Sequence, residues 1–139
     1  MKTSRGIVAA VAMVGCAALL SGCTGGSAEN YPGLPPKSEV AQSSSADSGI
    51  QAFWLDEGAE IAVAIWGSST CPRVGNSIEV VKEAGKGNAV AIGVAPVPNK
   101  PCTADLVPHT TVFGTPGQIT TTEPLEIRVL DQVVVLPIK

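Results

Sequence analysis

The chain has 139 residues and a net charge of −3, with fifteen glycines, eleven prolines, four cysteines and one histidine. That length holds one modest domain, and the acidic balance argues against a nucleic-acid partner, which rewards clustered basic side chains. Aromatic residues make up only 4%, which is low for a receptor that stacks a small ligand.

Lys2 and Arg5 form a short basic start, and residues 6–20 carry no charged side chain. This apolar run of about fifteen residues falls short of the roughly twenty that a membrane-crossing helix needs. A basic flank followed by a short apolar run reads as a secretory signal. Leu20-Ser21-Gly22-Cys23 then resembles the lipobox of bacterial lipoproteins, with Leu at −3, small residues at −2 and −1, and Cys at +1. The resemblance implies that the Cys23 thiol takes a diacylglyceryl group and that a signal peptidase cuts after Gly22. In many bacteria the new amine is then acylated, and two or more acyl chains are what stable anchoring requires. The competing readings are a soluble secreted chain cut near Ala17 or Ala18, and an uncleaved helix, against which the length argues.

Cleavage after Gly22 leaves 117 residues (139 less 22) and removes Cys16 along with both methionines, Met1 and Met13. Seven basic residues then face twelve acidic ones, a net charge of −5 (7 less 12). Such a surface does not favour a polybasic membrane contact, so the lipid alone would hold the chain to the membrane. With Cys23 lipidated, Cys71 and Cys102 remain as a pair, and in an exported protein a pair of this kind is expected to form a disulfide. Closing that loop adds roughly 3–4 kcal/mol on the chain-entropy estimate, which matters for a small core.

Three regions follow: a signal at 1–22, a flexible Gly/Ser/Pro-rich tether at 23–49, and a β domain at 50–139. Within the last, residues 51–55 form a first apolar run, and Asp56-Glu57-Gly58 a tight turn. Residues 59–66 put Ile61, Val63 and Ile65 on one face and Ala62, Ala64 and Trp66 on the other, the pattern of a central strand covered on both sides. Residues 77–83 and 89–95, joined by Gly85-Lys86-Gly87-Asn88, form an expected hairpin. Residues 96–103 hold three prolines and Cys102 and are expected to be irregular. Residues 107–113 are the next strand, and residues 125–130 and 133–138 a final hairpin across Asp131-Gln132. About seven short strands without helical periodicity predict an all-β fold: a small antiparallel sandwich, immunoglobulin-like, or a barrel.

Chemistry-bearing residues are few. His109 with Ser68 or Ser69 and Asp105 has the residue types of a hydrolytic triad, but no spacing singles them out and no Gly-x-Ser-x-Gly is present. One histidine and two paired cysteines fall short of a zinc or copper site, so no metal or cofactor is expected. Asp56, Glu57 and Glu60 lack the pattern of a calcium loop. Glu123 and Glu126 have no sugar-binding setting around them.

Two segments are more patterned than composition requires: Trp66-Gly67-Ser68-Ser69-Thr70-Cys71-Pro72, and the stretch from Pro101-Cys102-Thr103-Ala104-Asp105 to His109-Thr110. Their pairing is similar to that in small exported lipoproteins of high-GC Gram-positive bacteria, over roughly residues 50–139. The resemblance implies an envelope domain with one disulfide and supplies no active site. The expected function is a non-enzymatic interaction module on the outer face of the cell membrane, binding an envelope protein or wall component around Trp66, Arg73, Asp105 and His109. The alternative is a small-ligand-binding accessory lipoprotein of a transport system.

Overall fold

The computed structural model describes residues 28–36, 42–45 and 49–139, with backbone alone for 42–45. Cys23 and the expected signal lie outside the described residues. The sheet builds outward from β4 (Glu60–Gly67), whose residues 61–65 are all buried. A strand apolar on both faces can only sit in the middle of a covered sheet. Its neighbours are β3 (Ile50–Leu55) and β7 (Val107–Gly114), both antiparallel to it. Beyond them lie β1 (Glu29–Pro32) beside β7 and β2 (Gln42–Ser45) beside β3, so the first sheet runs β1-β7-β4-β3-β2. The second sheet contains β5 (Gly75–Lys82), β6 (Ala89–Val94), β8 (Leu125–Val129) and β9 (Gln132–Leu136), in that order.

The two sheets face each other across one apolar core. Ile50, Ala52 and Trp54 of β3, with Ile61, Val63 and Ile65 of β4 and Phe113 of β7, meet Val90, Ile92, Leu125, Ile127, Val129, Val134 and Leu136 from the other sheet. Each large side chain buried this way stabilises the fold by about 1.5–3 kcal/mol. Gly75 sets how closely the sheets approach. A Cβ there would lie 2.6 Å from Phe113 Cζ, and the Gly75 N–H donates to Thr111 Oγ1 at 2.9 Å. A smaller apolar cluster of Phe53, Ala62, Ala64 and Val112 lies on the opposite face of the first sheet, with Tyr31, Leu55 and Trp66 against it.

The fold is a β-sandwich of separate five- and four-stranded sheets, so of the two expected architectures it is not the barrel. The seven strands β3 to β9 correspond to the seven expected runs, and residues 96–103 are irregular. Two expectations are corrected. The sandwich is not purely antiparallel, because β6 and β8 pair in parallel from Ala89↔Glu126 to Ile92↔Val129. Between them the chain crosses to β7 in the facing sheet, and such a crossover returns the next strand in the original direction.

The second correction concerns the tether, part of which belongs to the sheet. β1 pairs with β7 from Glu29↔Val112 to Pro32↔His109, and β2 pairs with β3. Without them the outer edges of β7 and β3 would expose rows of unpaired backbone groups. The Gly33 N–H donates to Pro108 O at 2.9 Å, the Thr110 hydroxyl donates to Gly33 O at 2.6 Å, and Pro35 is buried. The folded unit therefore includes residues 28–36 and 42–45 and does not start at residue 50.

A disulfide-pinned loop face as candidate functional site

β4 and β7 end side by side, with Gly67 opposite Val107. The chain leaves β4 into residues 68–74 and reaches β7 through residues 95–106, so two irregular loops meet at one end of the sandwich. Cys71 and Cys102 are disulfide-bonded across them, with Cα atoms 5.6 Å apart. Cys71 is buried while Cys102 is exposed, so the link runs from the edge of the core to the surface. Both cysteines lie in inter-strand loops, as the sequence implies.

Thr103 is the hub of this face. Its hydroxyl lies 2.8 Å from that of Ser68, 3.3 Å from that of Ser69 and 3.3 Å from that of Thr70. It also donates to Asp105 Oδ1. The Thr103 N–H donates to Thr70 Oγ1 at 3.0 Å, and the Ser69 N–H to Asp105 Oδ1 at 3.1 Å. Hydrogen bonds from the Ser69 side chain, the Thr103 hydroxyl and the Ser69 backbone favour the charged carboxylate, and hold the Asp105 pKa down to about 2. Asp105 is thus an anion throughout the physiological range. Leu106, next to it in the chain, is 72% exposed, and Val97 of the same loop is 44% exposed.

The remaining expected site residues are dispersed. Trp66 is half-buried and packs on the outer apolar cluster of the first sheet, opposite Pro108 in register. Arg73 is exposed on the loop after Cys71, and among the described residues no ion pair engages it. His109 does not join Ser68, Ser69 and Asp105. Its Nε2 lies 3.3 Å from Asn30 Oδ1 of β1, and partial burial lowers its pKa, which favours the neutral ring. Carboxylates of the two groupings that the sequence gives no site are engaged elsewhere. Glu57 pairs with Lys139 at 2.9 Å, Glu126 with Arg128 at 2.7 Å, and Glu123 Oε2 accepts from the Gly85 N–H at 3.0 Å. Among the described residues no three potential metal ligands are gathered.

Thr103 was not singled out from the sequence, because a threonine between a cysteine and an aspartate carries no signal until the two loops are brought together. A groove of about 510 Å³ lies away from this face, between β5 and the turn after β7, lined by Ile78, Glu79, Val80, Thr115, Pro116 and Gln118 among others. Comparison of the chain with protein-family models, curated proteins and solved structures gives no match.

Proposed function

We propose that the chain is a cell-envelope lipoprotein, anchored through Cys23, whose sandwich is a non-enzymatic module that binds a protein partner through the disulfide-pinned loop face. The observation that carries the reading is the cross-link of residues 68–74 to residues 95–106, by a disulfide and a shared hydroxyl and carboxylate network, with Leu106 left 72% exposed beside it. A loop pair ordered in advance loses little entropy on binding, and loops on a rigid scaffold are where binding residues concentrate. Exposed aliphatic side chains around a polar centre suit a protein surface. A glycan platform would want exposed aromatic rings, and both tryptophans are buried or half-buried. The anchor rests on Leu20-Ser21-Gly22-Cys23 after its short apolar run.

The test is a cross-linked pull-down from membranes with the full chain, compared with Leu106→Asp. Recovery of a protein that Leu106→Asp loses is the expected result. Equal recovery by both removes the loop face as the binding surface. Mass spectrometry of the membrane-extracted chain is expected to find acylated Cys23 at the N-terminus. An N-terminus upstream of Cys23 would refute the anchor.

A further inference from the structure

We infer that the loop face is held at the membrane-distal end of the domain, so that its partner meets it from the outer side and the bilayer does not. This rests on the proposed lipid at Cys23. The inference follows from where the anchored chain enters the sheet. Glu29, the first residue of β1, pairs with Val112 near the end of β7, while Pro32 pairs with His109 near its start. Ala28, just before it, packs against the core. In the adjoining ladder Gly114 lies opposite Glu60, and Val107 opposite Gly67. The chain therefore enters at the end that carries Glu60, the Asp56–Gly58 turn and the turn after β7. The Cys71–Cys102 loops lie at the other end.

The distances make the separation binding. From Cys23 to Glu29 there are six Cα steps, a reach of at most about 22 Å when fully extended. The five residue steps from Val112 to Val107 span about 17 Å at strand rise, and the disulfide loops extend beyond that. An extended linker laid back along the sandwich would pass the base of those loops by only about 5 Å.

The experiment uses the full lipidated chain in phosphatidylethanolamine and phosphatidylglycerol vesicles with an acceptor dye on the headgroups. Donor dyes are placed at Gln118→Cys or Thr122→Cys at the entry end, and at Leu106→Cys or Val97→Cys on the loop face, all exposed positions. Energy transfer is expected to be several-fold stronger from the entry-end pair. Equal or stronger transfer from the loop pair, the result for exposed aliphatics seated in the bilayer, overturns the inference. Flotation separates the two claims. A chain that stays out of the vesicle fraction sinks the lipid reading and this inference together. One that floats with equal transfer sinks only this one. A Gly/Ser insertion after Gly26 that doubles the linker should weaken the entry-end transfer, and unchanged transfer would show that the linker does not set the height.

Discussion

Asn88 closes the turn between β5 and β6 in the left-handed region, at φ 42°. It is 1% exposed. Its Nδ2 donates to Thr120 O, Glu123 O and Pro124 O at 3.0, 3.2 and 3.2 Å, and its Oδ1 accepts from the Thr120 N–H at 3.1 Å. One side chain thus engages four backbone groups of residues 120–124, a segment with no ladder of its own. Asn88→Ala leaves these groups unpartnered and should cost about 2–4 kcal/mol, read as a lower urea midpoint; a loss within a few tenths would show that water replaces the amide. In the sequence Asn88 reads only as the last residue of a Gly-rich turn, because its partners lie more than thirty positions away. Asp105 offers a second test. Its depressed pKa means that the charged form stabilises the loop face above the ordinary value of 3.8, and that this contribution fades as pH falls toward about 2. The Ser69 amide resonance should therefore titrate near 2, and Asp105→Asn should abolish the titration; a midpoint near 3.8 would mean that the network is not formed in solution.

The strands from β3 onward were legible because their β-branched alternation reports burial directly: Ile61, Val63 and Ile65 read as one face and are one face. β1 and β2 were not. Glu-Asn-Tyr-Pro and Gln-Ser-Ser-Ser have no apolar alternation, and they join the sheet by backbone pairing along edges that β7 and β3 already present. The parallel β6–β8 pair was hidden for a related reason, since local pattern does not say which sheet a strand enters. Deleting residues 24–36 tests the edge role of β1. Losing its ladder and the Gly33 contacts should lower stability by about 2–4 kcal/mol at roughly 1 kcal/mol per net hydrogen bond. An unchanged unfolding midpoint would show that β1 adds nothing to the stability of the sheet. The disulfide is the other device at this scale. Cys71→Ser with Cys102→Ser should lower stability by roughly 3–4 kcal/mol for a loop of this length and broaden the resonances of Ser68 to Thr70. Loss of stability without loss of loop order would mean that the Thr103 network suffices to hold the face.

At the scale of the whole molecule, the sandwich closes around Trp54. This residue belongs to β3, the first strand of the apolar core, and is fully buried. Its indole N–H donates to Pro137 O at 2.8 Å, across 83 positions of sequence. The Lys139 N–H donates to Thr121 O at 3.1 Å, and its ammonium pairs with Glu57. The last three residues thus tie the edge of β9 to the facing sheet and to the turn at the entry end. The final hairpin was readable from its alternation, but this closure was not, because a tryptophan with one donor does not announce its acceptor. Removing Pro137 to Lys139 would leave the indole N–H buried without a partner, a loss of about 1–3 kcal/mol. Trp54→Phe in the same truncated chain removes the orphaned donor as well. If the Pro137 carbonyl is the partner that matters, the truncation should cost less in the Phe background than in the Trp background, by about the worth of one buried hydrogen bond. Equal losses in the two backgrounds, measured by urea unfolding, would show that the end of the chain acts through the Lys139 contacts and not through the indole.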